Sequence, residues 1–524
     1  VTPSWSFVSA PTLGNNMARE QILATVNEFL GLGNPFITSN NPAKTRHMTN
    51  MRSQFGRIIG RDGFTTLGLP ADTWDVTQLA DYKQGDGTSK LIRFKNGLLA
   101  ASAQLDQYIA TTGLWTAINA GTNLTIAQSV NSFIDYTNHN KNFTWAIPTE
   151  LAVHDWTGSG NAVQRRVAGL GSKFVVSFSG YILMGYCAGG TVQGTTVRYN
   201  TALTLAAATD LFLNLNETPG NIKRMGLLGK TCVVYKTDGA TILRFVGSNT
   251  VTFSQERAPL TVGLLASASL QDVPSLGHIG LFTDGQLYLF DGNTHKPLLN
   301  EMNNTLLRLL NKAWAQYSYS TLNPVGSIYS LYFPSGANSF LDKRLEFNYR
   351  TGEFTIFDYV EGFSHALASN YLASDDTSPV FSMVASKEKQ IYALDTGLTD
   401  NGRVNPYEWQ TDWLNLGSST DKYVTKVELT FDPLVRGQIE VSFGKDYGLQ
   451  FYSPKRMNLA ATGTEDMFVI YELPSPTLLR QLNVKIKFFP TILPSGMVLK
   501  GLNIIGMPAG GSIRTPNTQT RGIK

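Results

Sequence analysis

Cysteine is nearly absent: two residues, Cys187 and Cys232, in a chain of 524. Neither belongs to a CxxC pair or a CxxC…HxxxH spacing. That speaks against a disulfide framework or a zinc cluster and for two buried free thiols. Charge is scarce too. Charged residues make up 16% of the chain, and 43 Lys and Arg against 39 Asp and Glu leave a net +4. A tight grip on nucleic acid needs clustered cations that release counterions from phosphates, and no basic run here supplies them. Long apolar runs are missing, with no stretch approaching the ~18 residues of a membrane-spanning helix. The opening VTPSWSFVSAPTLG lacks the basic start and apolar core of a secretory signal. Cytosolic synthesis without a membrane span is therefore expected.

Catalytic signatures are equally thin. No serine lies in G-x-S-x-G, and the histidines (His47, His139, His154, His278, His295 and His365) form neither HExxH nor an i,i+4 pair. GLLGKT, from Gly226 to Thr231, offers Lys230 and Thr231 to a phosphate. However, the first glycine of a phosphate loop would fall on Arg224, and CVVYK beyond it reads as a strand where a helix is needed. Asp375 and Asp376 lie in SDDTS, a solvated loop rather than a calcium site. VSFGKDYGLQFYSP is a poor copy of the sialidase turn, because Gly444 stands where that turn has serine. No enzymatic activity and no cofactor is expected, although distant carboxylates could still converge on the axis of a propeller.

What the chain does have is a repeated phrase. Between Asp86 and Asp395 a short apolar-aromatic run, a turn carrying Asp-Gly or Asn-Gly, a second apolar run and a polar stretch recur with variations. The clearest copy is LFTDGQLYLFDGNTHKPLLN, where Asp284-Gly285 joins two β-rich runs, the strongest short-range hairpin signal. Copies recur roughly every 40 to 55 residues, the length of one four-stranded propeller blade. An all-β fold is expected, with a β-propeller of about six or seven blades. Phe94, Phe178, Tyr235, Tyr288 and Tyr332 fall inside strand-like runs and are expected to pack between blades. Trp74, Trp115, Trp145 and Trp156 lie nearer polar segments and are the candidates for exposed contacts, as on a glycan-binding surface.

The propeller is expected over residues 71–404. Before it, residues 1–70 read as a leader: a helix through MAREQILATVNEFLGLG, capped by Asn15 or Asn16 with Ile22, Val26 and Leu30 on one face, then a hairpin turning at Arg61-Asp62-Gly63. Leu306, Leu309, Leu310 and Ala313 have helical spacing and suggest a blade-connecting helix. After a Gly-, Asn- and Asp-rich linker near Asn405, residues 405–508 alternate as in a β-sandwich, platform-like domain, and residues 509–524 read as a flexible tail. The sandwich residues Val427, Leu429, Phe431, Val484, Ile486 and Phe488 are candidates for a subunit interface, because a small sandwich leaves edge strands that another subunit can cover.

In order, NMRSQFGRIIGRDGFTTLG, DGTSKLIRFKNGLLAASAQLDQYIATTGLWTAI, SKFVVSFSGYILMG, NETPGNIKRMGLLGKTCVVYKTDGATILRFVG, LTVGLLASASLQDVPSLGHIGLFTDGQLYLFDG, LEFNYRTGEFTIFDY, YEWQTDWLNLG and LRQLNVKIKF resemble the propeller-bearing tail-nozzle, or tail tubular, proteins of tailed bacteriophages. The likeness covers most of residues 50–507. The chain departs from the pattern in a polar insert around Asp155 to Arg165 and in the leader helix. The resemblance implies a structural virion protein of the tail, assembled in the host cytoplasm. Several copies, usually six, would form a ring below the portal and adaptor through which genomic DNA is ejected, with tail-fibre proteins as further partners. Two other readings stay open, a glycan-binding or glycan-cleaving propeller for host recognition and a cellular scaffold propeller.

Overall fold

The computed structural model describes residues 20–508 except 31, 33–43, 69–74, 85–86, 97–102, 110, 119–132, 149–150, 167–169, 190, 202–209, 249–250, 300–302, 372–380, 387–388, 405–406, 417–420, 447–450, 461–462 and 491–495. The chain divides into two units, Asp62–Arg403 and a second built from Val1–Arg61 with Val404–Lys524.

The first unit is the propeller. Five four-stranded antiparallel sheets follow one another, their first strands being Asp75–Lys83, Asp135–His139, Ser172–Phe178, Ile222–Leu228 and Gln271–Val273. A seven-stranded sheet comes next, in the order Tyr319–Asn323, Ile328–Phe333, Leu341–Asn348, Phe354–Tyr371, Phe381–Ser386, Ile391–Leu394 and finally Phe64–Thr66. Strand Phe354–Tyr371 serves twice. Its first part pairs with Leu341–Asn348 and its second with Phe381–Ser386, with register breaks between Phe363 and Asn370. The large sheet is thus two four-stranded blades sharing one long strand, which makes seven blades among the described residues. The first strands touch in sequence around the ring, and Phe354–Tyr371 closes it against Asp75–Lys83.

Closure is made by main chain. Tyr392 pairs with Thr66, Ala393 with Thr65 and Leu394 with Phe64, so residues from the start of the unit complete its last blade. Gly63 sits at this seam, where a Cβ would lie 2.0 Å from the Thr399 carbonyl oxygen, so only glycine fits.

Aromatic side chains fill the gaps between blades, as expected. Tyr82, Phe94, Trp145 and Trp156 are buried between blades 1 and 2, Phe178 with Leu183 and Val234 between blades 3 and 4, and Tyr235 with Phe282 and Phe290 between blades 4 and 5. Tyr332 is buried with Phe357 and Tyr392 between the last two blades, while Tyr288 is half-buried. Each fully buried ring contributes about 2–3 kcal/mol relative to exposure.

Turn chemistry varies within this regular plan. Asp284-Gly285 does join two paired strands, Gly277–Leu281 and Leu287–Phe290. Only Gly285 takes positive φ (79°), and its N–H donates to the Phe282 carbonyl at 2.8 Å, so the turn is type I with a glycine bulge rather than type I′. Asn140-Lys141, with φ of 49° and 68°, makes the type I′ turn without any glycine. The stretch from Asp155 to Arg165, set apart as an insert, carries the chain between Ala152–Trp156 and Val163–Arg166, the last two strands of blade 2. Helix Asn303–Leu309 links the fifth and sixth blades and holds Leu306 and Leu309 of the expected helix, but it ends before Leu310 and Ala313.

The second unit is a two-sheet sandwich, and here the leader reads differently. Its first sheet runs Met51–Gln54, Arg57–Gly60, Val498–Pro508, Lys422–Phe431, Met467–Leu479, with Gln21–Val26 also paired to Val498–Pro508. Its second runs Thr45–Thr49, Tyr407–Thr411, Gln481–Pro490, Gly437–Lys445, Lys455–Leu459, with Leu414–Asn415 also on Gln481–Pro490. Residues expected as a separate leader therefore supply strands to both sheets. The expected helix is replaced over Gln21–Val26 by a strand, because pairing with residues 502–506 overrides a helical pattern of apolar spacing. Asn15 and Asn16 lie outside the described residues. The hairpin is also displaced: it turns at Phe55-Gly56 (φ 53° and 72°), and Asp62-Gly63 instead begins the propeller. Arg61, at the boundary, is buried and held by the Asn50 side chain at 2.9 Å.

A fragment of residues 62–403 is expected to melt in a single cooperative transition. A fragment of residues 404–524, deprived of the strands from 20–61, is expected to show none by circular dichroism. A cooperative melt of 404–524 alone would mean that the N-terminal strands are dispensable additions.

Candidate functional sites

The six residues proposed for a subunit interface alternate along two strands, one in each sheet of the sandwich. Val427, Leu429 and Phe431 lie on Lys422–Phe431, and Val484, Ile486 and Phe488 on Gln481–Pro490. All six are at most 1% exposed. Their alternation marks the inner face of each sheet, so these side chains form the sandwich core and do not present a surface to another subunit. What the same sheets do expose is on the other face and at the edges. On Met467–Leu479, Phe468 is 62% and Ile470 48% exposed, alternating with buried Met467 and Tyr471.

At the propeller axis, side chains from alternate blades meet. Phe133, just ahead of the first strand of blade 2, lies 6.2 Å ring to ring from Tyr319 of blade 6, and the Arg224 guanidinium of blade 4 sits 4.9 Å over its ring. Three blades spaced around the ring thus bridge its centre. Arg224 donates to the carbonyls of Ser267 (2.8 Å) and Leu270 (3.1 Å). Asp135 lies 3.9 Å from the same guanidinium and accepts the Val175 N–H at 3.1 Å. Burial pushes the Asp135 carboxyl up to about 6, against the pull of Arg224. Gln78 locks blade 1 to blade 2 by exchanging two hydrogen bonds with the Ile134 backbone, and Gln271 donates to the Ser320 carbonyl between blades 5 and 6. These partners bind blade to blade. The carboxylate is committed to a neighbouring backbone and faces a cation, so it is arranged as a structural tie.

The histidines are placed as follows. His139 Nδ1 is 3.0 Å from Ser177 Oγ, and Asn140 is bonded to its other nitrogen, so a Ser-His contact exists without a carboxylate bonded to the imidazole. His278 is buried between the Tyr235 hydroxyl (2.9 Å) and the Leu227 carbonyl (2.6 Å). His154 is stacked on Trp145 at 5.5 Å, and burial lowers its pKa to about 4. His47 lies 3.6 Å from Glu408, and His295 is 3.1 Å from the Pro259 carbonyl. The side chain of His365 lies outside the described residues, as do Asp375, Asp376 and Trp74. Among the described residues no group of His, Cys, Asp and Glu is placed to hold a metal ion.

Gly229-Lys230 is the two-residue turn between Ile222–Leu228 and Thr231–Lys236, with no helix beyond it. Cys187 and Cys232 are buried free thiols, each pushed up to about 12 by burial. Gly444 lies within strand Gly437–Lys445. Trp145 and Trp156 are buried and Trp115 is covered by Arg93 at 4.5 Å, so these tryptophans offer no exposed stacking platform. No helix among the described residues is long and apolar enough to cross a membrane.

No protein-family model matches this sequence, and no curated protein matches it. Among solved structures the chain is similar to PorZ, an essential bacterial surface component of the type-IX secretion system of Porphyromonas gingivalis. The identity is 9% and the TM-score 0.32, over 75% of this chain and 46% of that one. It is also similar to the AfRom2 CNH domain, at 8% identity and a TM-score of 0.37, over 64% of this chain and 99% of that one. Over 20% of this chain it is similar to 71% of the family 32 CBM from C. perfringens NanJ, at 13% identity and a TM-score of 0.15. Likenesses this distant say nothing about function.

His154 gives a pH test of the packing around it. Its folded pKa, about 4, lies below the ordinary 6.5, so the unfolded chain binds the proton more readily and the stability it contributes is lost as pH falls from 6.5 toward 4. His154→Phe is expected to keep the stack on Trp145 and to shrink the drop in Tm between about pH 7 and pH 5. An unchanged drop would mean that His154 titrates alike in both states.

Proposed function

We propose that this chain is a structural subunit of a bacteriophage tail, of the nozzle or tail tubular kind. Several copies, six by the resemblance, form a ring below the portal and adaptor through which genomic DNA is ejected. The observation that carries this reading is the division of the chain. A self-closed propeller is inserted between strands of a sandwich that recruits both flanking segments, which suits a sandwich that builds the ring and a propeller that braces it or carries fibres. The near balance of charge supports it, because a conduit lined by unpaired cations would hold a polyanion rather than let it slide. The duplex would pass between copies rather than along a propeller axis bridged by Phe133, Arg224 and Tyr319. In this reading the protein has no catalytic role and resides in the virion tail. The alternative of a glycan-binding or glycan-cleaving propeller draws less support, since Trp145 and Trp156 are buried and the axial Asp135 is tied to backbone and Arg224.

Light scattering and negative-stain microscopy of the purified chain, alone and with the adaptor of its source particle, are expected to show rings with a central opening. A chain that stays monomeric under both conditions, or that turns over a polysaccharide in a manner lost with one carboxylate, would overturn the assignment.

A further inference from the structure

We infer that the ring contact is a main-chain one: strand Met467–Leu479 of one copy pairs with strand Gln21–Val26 of the next, so that the first sheet of the sandwich runs on from subunit to subunit. This deepens the proposed function and rests on it. Across the sheet at one level the strands run Gln21–Val26, Val498–Pro508, Lys422–Phe431, Met467–Leu479. Thr25 faces Asn503, which faces Glu428, which faces Ile470. Among the described residues the outer edges of the first and last of these have no strand partner and no backbone hydrogen bond.

Three features make the two edges fit each other. The first is direction. Every pairing in this row is antiparallel, and the row has an even number of strands, so its two edges run in opposite directions. Copies related by rotation about a ring axis then meet edge to edge in antiparallel fashion, continuing the existing ladder.

The second feature is charge. MFVIYEL, the start of one edge, carries one charged residue, and QILATV, the other, carries none. Edges that stay unpaired are usually blunted by charge, and the second sheet does this: its edge strands are Lys455–Leu459, with Lys455 and a largely exposed Arg456, and Thr45–Thr49, with Arg46 and His47. Among the described residues the two outer edges of this row in the first sheet are nearly uncharged. Beyond this stretch Pro474 and Pro476 have no N–H to donate, which limits the proposed contact to residues 467–473.

The third is the face. Phe468 (62%) and Ile470 (48%) on one edge and Ile22 (53%) on the other are exposed apolar side chains, and Ile22 faces Ile505 on the solvent side of the sheet. Joining the edges brings these side chains together on one surface, where cross-strand apolar pairs each add about 0.2–1 kcal/mol.

The test uses the full chain with Phe468→Lys and Ile470→Lys, at exposed positions where the fold tolerates charge, and Phe468→Leu as the conservative control. Sedimentation is expected to show ring assembly by the wild type and the leucine variant, and self-association roughly a hundredfold weaker in the lysine variants, whose far-ultraviolet spectra and melts stay unchanged. Hydrogen exchange should show the outward-facing alternate amides of 21–26 and 467–473, those not already bonded to the neighbouring strand of the same chain, protected in the assembly and open in the monomeric variants. Rings that persist in the lysine variants, or edge amides that exchange freely within rings, would overturn the edge contact and leave the tail reading standing. A wild-type chain that is monomeric alone and with its adaptor would overturn both.

Discussion

A ring of blades has no natural end, and the constraint on which the rest of this structure depends is how the ring is shut. Six of the seven blades are completed by residues close in sequence. The last borrows Phe64–Thr66 from the far end of the unit, and the seam is knitted further by Phe64 N–H to the Thr399 carbonyl (3.1 Å) and Asn401 N–H to the Phe64 carbonyl (2.8 Å). Because the seam is made of main chain, the start and end of the unit are held side by side. A body whose two ends lie together can be inserted into another fold without distorting it. That allows strands from before Arg61 and after Val404 to share the same two sheets.

Between blades, apolar packing supplies the bulk of the stabilisation, and a few buried ion pairs fix which blade meets which. Arg344, buried on strand Leu341–Asn348, makes two bonds of 2.9 Å to Asp395, just beyond strand Ile391–Leu394 of blade 7, and also lies 2.6 Å from the buried Glu346. Arg166 of blade 2 is fully buried and bonded at 2.6 Å to Asp210, at the start of the last strand of blade 3. A fully buried pair such as Arg166–Asp210 adds little net stability, since desolvation offsets most of the attraction, but removing one partner strands the other and costs about 3–5 kcal/mol. Misplaced blades would leave charges of this kind unpaired, so the pairs penalise wrong neighbours more than they reward the right ones.

The propeller was legible in the sequence because blade structure is local. Each hairpin joins runs a few residues apart, and Asp284-Gly285 lies between two paired strands even though its turn type differs from the expected one. The sandwich was only half legible. Alternation at Val427, Leu429 and Phe431 marks one buried face but does not say whether the same chain or another subunit buries it. The strand Gln21–Val26 was hidden for a related reason. Its partners are residues 502–506, and a window of twenty residues containing Ile22, Val26 and Leu30 fits a helix until that distant partner is known. Phe133 and Arg224 were invisible as an axial pair, since nothing local distinguishes a side chain at the centre of a ring from one at its rim.

The bridged axis also bears on where function can lie. A propeller that acts on a ligand at its centre needs a polar opening with uncommitted groups. Here Arg224 Nη1 donates to the Ser267 and Leu270 carbonyls, Asp135 accepts from Val175, and Phe133 and Tyr319 supply apolar bulk between them. Making this centre a binding site would require breaking contacts that hold blades 2, 3, 4, 5 and 6 in place. The sandwich is in the opposite position. Among the described residues its first sheet carries two nearly uncharged edges with no strand partner, and new contacts form most readily where main-chain groups lack partners. Among the described residues, open strand edges are therefore found in the unit assembled from the two ends of the chain, while the propeller satisfies its own blade edges by closing its ring.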